Sequence, residues 1–88
     1  MSAEDFWGLL PTLSETAVPP ELAQPLAQSW GEAALAEHAS IASFGRFSLQ
    51  LLAVGAPPAL LVDTHRAALD EVEHARMCFA IAGIFAGE

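Results

Sequence analysis

Apolar residues recur along most of this chain at the spacing of an α-helix. With Glu37 as reference and about 100° per residue, one mainly apolar set falls within about 60° of it: Trp30, Ala33, Ala34, Ile41, Phe44, Ser48, Leu51 and Leu52. The opposite side carries polar side chains: Gln28, Glu32, Ser43, Arg46 and Gln50. This pattern predicts a long helix from about Pro25 to Val54, with Pro25 in its first turn.

A second long helix follows after a short break. Gly55 suits the left-handed end of a helix, and Pro57 or Pro58 suits the start of the next one. The helix is predicted from about Pro58 to Ala86, with Gly87 ending it. Strand-like alternation is absent from the sequence. We therefore expect an all-α fold, an antiparallel two-helix hairpin over residues 25–88.

Residues 1–24 form an N-terminal arm in this interpretation. Ser2 is a candidate N-cap for a short helix that carries Phe6, Trp7 and Leu10 and is interrupted by Pro11. A linker from Thr12 to Pro20 follows. The aromatic cluster is interpreted as a lid over an exposed apolar face, and a docking peptide for another protein is the alternative.

The amino-acid composition and net charge of the chain exclude some classes of partner and favour association between copies. The 88 residues are 53% hydrophobic and carry a formal net charge of -8. Nucleic acids and anionic membranes need basic surface, so neither is an expected partner. Two helices cannot hide this much apolar surface, which predicts a homodimer or a higher homo-oligomer. A lone Cys78, no secretory signal and no apolar run of about 20 residues indicate a reducing, cytoplasmic setting.

Three polar residues occupy the apolar faces of the two long helices. Glu37 lies in the middle of the first face, and Glu71 and His74 share the second within about 60°. The midpoint between positions 37 and 74 falls in the turn, so Glu37 and His74 are predicted at nearly equal height. Glu71 lies about one helical turn away. The three side chains are thus expected to converge in the apolar interior.

Buried carboxylates persist when they are paired or bound to metal. The chain has no Lys, and its basic side chains Arg46, Arg66 and Arg76 all point away from the three residues. A divalent metal is the simplest remaining countercharge, and mixed carboxylate and imidazole ligands suit iron, manganese or zinc. The alternative without a metal is that Glu71 and His74 form a solvated polar stripe, as many Glu-x-x-His pairs do.

Glu37 on one helix, followed by Glu71-x-x-His74 on the next, resembles half of the ferritin-like di-iron carboxylate motif. The stretch "EHASIASFGRFSLQLLAVGAPPALLVDTHRAALDEVEHARMCFAIA" is similar to the first helix pair of bacterial ferritin-like domain proteins. A full domain of that kind has four helices. This chain is therefore either half of a longer protein or a half-bundle that dimerises, as in the encapsulated ferritins.

The resemblance implies a ferritin-like four-helix bundle built from two chains. It implies two irons per dimer, with Glu71 bridging them and with Glu37 and His74 each binding one. It also implies ferroxidase activity, the oxidation of Fe(II) by O₂. Manganese or zinc are substitutes, and an encapsulin or another shell would be needed for mineral storage.

Two other functions stay open at this point. One is a di-iron oxygenase on the same scaffold, and the other is a non-catalytic, metal-stapled oligomerisation module. Cys78, one turn beyond His74, is either a small core residue or a redox-active neighbour of the metals. His38 and His65 are predicted on the flanks, with a metal site between dimers as their alternative role.

Overall fold

The computed structural model describes residues 2–15 and 18–87, with the backbone alone at positions 14 and 15. Three helices make up these ranges, α1 (Ala3–Glu15), α2 (Pro20–Ala53) and α3 (Pro58–Ala86), and no strand occurs within them. The all-α prediction is confirmed. The molecule measures 54 × 23 × 16 Å, because α2 and α3 lie side by side along their length and α1 lies against α3.

The break between α2 and α3 has the stereochemistry that its residues predict. Gly55 has a φ of 66°, in the left-handed region, and Pro57 and Pro58 follow as N-cap and first helical residue. At the other end, Gly87 has a φ of 82° and its N–H bonds back to the carbonyl of Ile84. The predicted limits of the second long helix are confirmed.

Helix α2 begins five residues before the predicted start. Pro20 takes the first helical position, where its missing N–H would have no partner in any case, and Leu22 N–H bonds to Pro19 O at 2.9 Å. Pro25 therefore lies inside the helix and not in its first turn. The prediction of a linker as far as Pro20 is wrong for residues 12–15, which belong to α1.

Helix α1 also continues through a proline that was expected to interrupt it. Pro11 lies inside Ala3–Glu15. The start of the helix is fixed by a reciprocal cap, since Asp5 N–H bonds to Ser2 Oγ at 3.1 Å and Ser2 N–H bonds to Asp5 Oδ2 at 3.2 Å. The hydrogen bond from the Ser2 hydroxyl also lowers the pKa of the Asp5 carboxyl. Contact of α1 with α3 helps to offset the loss of one backbone bond at Pro11.

Small side chains form the interface between α2 and α3. Its buried residues are Ala34, Ser48, Leu51, Thr64 and Ala75, and among the described residues no large side chain is fully buried. Thr64 Oγ1 bonds to the carbonyl of Leu60 at 2.8 Å, whereas Ser48 Oγ is buried without a hydrogen-bond partner. Small residues let the helix axes approach closely, but they bury little apolar area.

A polar contact joins α1 to α3. Trp7 Nε1–H donates to Glu73 Oε1, and Arg76 donates to the other oxygen of Glu73 at 2.9 Å. The Arg76 guanidinium also lies 5.1 Å from the centre of the Trp7 ring. The Glu73 carboxylate is therefore bound on both oxygens, although an acidic residue on the flank of a helix is ordinarily expected to face solvent. Phe6 is buried beside Trp7, so α1 covers part of α3 as the lid interpretation predicts.

Apolar side chains remain exposed on every helix. They include Leu9 and Leu13 on α1, five positions on α2 and five on α3. None of the helices in the described part of the chain combines the length and apolarity of a membrane span. The exposed apolar side chains are distributed over several faces of the molecule. A body only 16 Å thick in its shortest dimension has no interior large enough to bury them.

Candidate metal centre

Glu37, Glu71 and His74 come together where α2 and α3 lie side by side. One ligand atom from each of the three side chains lies within 4.8 Å of the others. His74 Nδ1 is 3.5 Å from Glu71 Oε1 and 3.7 Å from Glu37 Oε2. The height match predicted from the turn thus corresponds to a real cluster of two carboxylates and an imidazole.

The cluster lies at the surface of the α2–α3 pair and not in its interior. The side chains of Glu71, Glu37 and His74 are 21%, 37% and 54% exposed. The expectation of an apolar interior is wrong for one chain, because the small residues between the helices leave no space there for three polar side chains. We call the side of the α2–α3 pair that carries Glu37, Glu71 and His74 the site face.

The two carboxylates perturb each other. The pKa of Glu37 lies above its usual range, first because its carboxyl shares a hydrogen bond with Glu71. Partial desolvation and the Glu71 charge raise it further, while the charge and hydrogen bond of His74 act in the opposite direction. A cation placed between the two carboxylates would favour their ionised forms and so act against this rise in pKa.

Arginine does not neutralise this pair of carboxylates in the described part of the chain. Arg76 is bound to Glu73, which points away from the site face at about 160° from Glu71 on the helical wheel. Among the described residues, the basic group in contact with Glu37 and Glu71 is His74. Each of these three side chains presents an atom that binds iron, manganese or zinc.

Cys78 lies on the same face, one turn beyond His74. Burial raises the pKa of its thiol, and the negative charge of Glu37 raises it further. The thiol therefore stays protonated near neutral pH, which is the state of an unreactive cysteine. This favours the small core residue over the redox-active neighbour as the role of Cys78.

The two other histidines do not join a cluster of this kind in the described residues. His38 is exposed and its ring packs at 6.4 Å, edge on, against Phe79 of α3. His65 is exposed on α3. Both lie on the flanks as predicted, and neither forms a metal group within one chain.

Four cavities in the described part of the chain lie away from the three residues. One of about 660 Å³ lies between the start of α2 and the end of α3, where it is lined by Gln24 and Phe85 among others. Another, of about 620 Å³, lies under α1 beside Trp7 and Phe79. Two smaller ones are also lined by α1 residues. None of these four has Glu37, Glu71 or His74 in its wall.

Sequence reasoning missed the second polar cluster, Trp7–Glu73–Arg76. The spacing of Glu73 and Arg76 is a typical helical ion pair and was available as a signal. Trp7 is 66 residues away from Glu73 along the chain, and nothing in the helical pattern indicates that contact. The cluster faces away from the site face, so it places α1 without taking part in the carboxylate cluster.

Comparison with known proteins adds no assignment: the chain matches no family model, no curated protein and no solved structure.

Proposed function

We propose that the chain is a ferroxidase that oxidises Fe(II) with O₂ at a paired site formed between two copies. The observation that carries this proposal is the convergence of Glu37, Glu71 and His74, whose ligand atoms lie within 4.8 Å of one another. Their spacing along the chain is the basis of the resemblance to ferritin-like di-iron carboxylate proteins.

The ligand chemistry favours iron over softer metals. Carboxylate oxygens and imidazole are hard and borderline ligands, and three of them leave open coordination positions. Two negative charges stabilise Fe(III) more than Fe(II), because the attraction grows with the charge of the ion. The reaction therefore becomes more favourable in their presence.

Surface area and symmetry support the proposed pairing of two chains. The structure exposes 6118 Å². A compact monomer of 9.3 kDa exposes about 5,000 Å², so the excess is about 1,100 Å². A standard interface buries about 800 Å² on each partner. A two-fold dimer through the site face would build a four-helix bundle and bring two copies of Glu37, Glu71 and His74 together.

Two Fe(II) ions are the substrate in this proposal. Each gives one electron to O₂, which takes up two electrons and two protons and leaves as H₂O₂. Glu37 and Glu71 hold the ions close together and favour the oxidised product. Because the pKa of Glu37 is raised in the metal-free chain, iron competes with protons for this carboxylate.

The alternative with an observation in its favour is a metal-stapled oligomer without turnover. Its support is that the His74 side chain is 54% exposed. A single chain therefore does not enclose a pocket for O₂ at this residue. An oxygenase has less support, because none of the four cavities described above has a wall formed by these residues. All three functions need the same ligands and differ in turnover.

The first test is an anaerobic Fe(II) titration of the wild type and of Glu71→Ala. The wild type should saturate near two irons per dimer, and the variant should lose high-affinity binding. Asp70→Ala is the matched control, since it removes an exposed carboxylate one residue away from the cluster. Equal uptake by Glu71→Ala and wild type would overturn the site.

The second test adds O₂ to the loaded protein. Ferroxidase activity predicts Fe(III) absorbance and one H₂O₂ for every two irons. Iron that binds tightly but oxidises no faster than free Fe(II) would support the metal-stapled oligomer instead. Turnover of an organic substrate would support the oxygenase.

A further inference from the structure

The side of the α2–α3 pair opposite the site face carries a second apolar surface. With Glu37 as zero on α2 and Glu71 as zero on α3, this surface lies between about 60° and 160° on both helices. The contact of His38 with Phe79 at 6.4 Å, at about 100° and 80°, shows that the two sectors meet on one side of the pair. We call this surface the reverse face.

The reverse face holds six of the large apolar side chains that are exposed. They are Leu35, Leu49 and Leu52 on α2, and Leu69, Val72 and Phe79 on α3. Leu49 and Leu69 are among the most exposed, at 68% and 67%. Helix α1 lies over the part of this surface that Arg76, Phe79 and Gly83 form on α3, and it leaves Leu69, Val72 and the α2 side uncovered. The same sector also contains His38, His65 and Arg76, and the charge of Arg76 is paired with Glu73. A sector that is exposed and mainly apolar marks an interaction surface.

The distribution of acidic residues indicates which partner covers the reverse face. The chain has 11 Asp and Glu residues, yet none of those on α2 and α3 falls in the reverse-face sector. Two chains that each carry a net charge of -8 repel one another, and they can meet closely only where carboxylates do not face each other. A basic partner would be drawn to the carboxylates elsewhere on the surface. The reverse face is therefore suited to a second copy.

Two glycines on this face give independent support. Gly31 and Gly45 lie at about 120° and 80° in the middle of α2. A Cβ atom at either position would meet nothing within 4 Å in one chain. Glycine inside a helix costs about 1 kcal/mol relative to alanine, so these positions weaken α2 without any benefit within the chain. Close approach of another backbone would supply that benefit.

We infer that the reverse face binds the reverse face of a second copy, with the α2 helices packed closely at Gly31 and Gly45. The contact is isologous, since the same surface is used by both partners. This inference depends on the proposed function in one respect, the total number of chains. The proposed function already joins two chains through the site face. Both contacts together give an assembly of at least four chains.

The test is the mass of the full chain in solution, measured by light scattering after gel filtration. The wild type should contain at least four 9.3 kDa chains. Leu49→Glu combined with Leu69→Glu places carboxylates in the sector that lacks them, so the mass should fall to two chains. Both side chains are largely exposed in one chain, so helix content by circular dichroism should not change. A wild type of one chain, or a mass that Leu49→Glu combined with Leu69→Glu leaves unchanged, would overturn the inference. A wild type of two chains that falls to one in this variant would support the reverse-face contact and count against the dimer through the site face.

Two further variants keep the result specific. Ser43→Glu combined with Gln50→Glu adds the same charge to exposed positions of α2 outside the sector and should keep the wild-type mass. Gly45→Ala should weaken the assembly, measured as dissociation at higher protein concentration than for the wild type. An unchanged mass with a higher melting temperature for Gly45→Ala would contradict close packing at this glycine.

The outcome is separable from that of the proposed function. The Leu49→Glu, Leu69→Glu variant should bind as much Fe(II) per chain as the wild type, because the substituted side chains lie on the other side of the pair. Loss of assembly with metal binding retained supports both proposals. Loss of assembly in a protein that never binds metal supports the reverse-face contact and removes the ferroxidase.

Discussion

At the scale of the residue, the central feature is a pair of glutamates that face each other across two helices. Glu37 and Glu71 share a hydrogen bond, and His74 is the basic group beside them. The hydrogen bond with Glu71 is the main reason why the pKa of Glu37 is raised, and partial desolvation and the like charge of Glu71 raise it further. The cost is present in the metal-free state and disappears when a cation replaces the proton.

A pH dependence of stability follows from the raised pKa of Glu37. A carboxyl with a higher pKa in the folded than in the unfolded chain binds protons more tightly when folded, so stability falls as pH rises through this range. We expect the metal-free wild type to lose stability upward from the ordinary glutamate pKa of about 4.3. Glu71→Gln should reduce this loss, because the neighbouring charge is gone.

Thermal melting of the two proteins between acid and neutral pH measures the difference. Other carboxyls titrate in both proteins, so the comparison between them isolates the pair. Saturating Zn(II) should reduce the dependence in the wild type and not in Glu71→Gln. Parallel curves for both metal-free proteins would contradict the coupling.

At the scale of the element, local sequence signals determine where most helices end. Long-range contacts determine whether a helix continues through a proline and which side chains are buried. Gly55, Pro58 and Gly87 fix the ends of α3 through backbone stereochemistry, which is readable from sequence. Pro11 and Pro25 were misleading, because a proline can remain inside a helix when the rest of the helix is stabilised by contacts. These contacts join residues far apart in the chain, so their strength could not be predicted from the sequence.

The site shows the same division. The period of the helix and the position of the turn were enough to place Glu37 beside His74. The exposure of the three side chains was not predictable, because it depends on how closely two helices of small residues approach. The Trp7–Glu73 contact was also out of reach, since it depends on how α1 returns over α3.

Helix α1 is held by its polar contact, which gives a prediction for Trp7→Phe. The variant keeps the aromatic ring and removes the hydrogen bond to Glu73, so we expect a loss of about 1 kcal/mol. The effect should be local. Hydrogen exchange should show faster exchange of α1 amides and unchanged protection of α2 and α3, whereas equal loosening of all three helices would contradict this assignment.

The buried Ser48 hydroxyl predicts a stabilising substitution. Its oxygen has no hydrogen-bond partner between α2 and α3. Ser48→Ala removes an unsatisfied polar group while keeping nearly the same shape, so we expect a gain of about 1 kcal/mol in the free energy of unfolding. Chemical denaturation measures it. Thr64→Val is the contrasting case, because Thr64 donates to Leu60 and should lose stability.

At the scale of the whole molecule, one chain has more apolar surface than it can cover. Its described residues include no large, fully buried side chain, and its shortest dimension is 16 Å. Folding and association should therefore be coupled. We expect the melting temperature to rise with protein concentration over a hundredfold range, and a constant value measured by calorimetry would indicate a stable single chain.

The position of the ligand cluster on this narrow body has a consequence for how quickly an ion comes and goes. Glu37 lies 17 residues before Val54, roughly 25 Å from the turn, yet its side chain is itself exposed to solvent. In a lone chain, an ion bound there would escape sideways without delay. In the proposed dimer a second copy would cover that side, and the ion could leave only when the subunits separate. The residence time of the ion would then report the lifetime of the dimer.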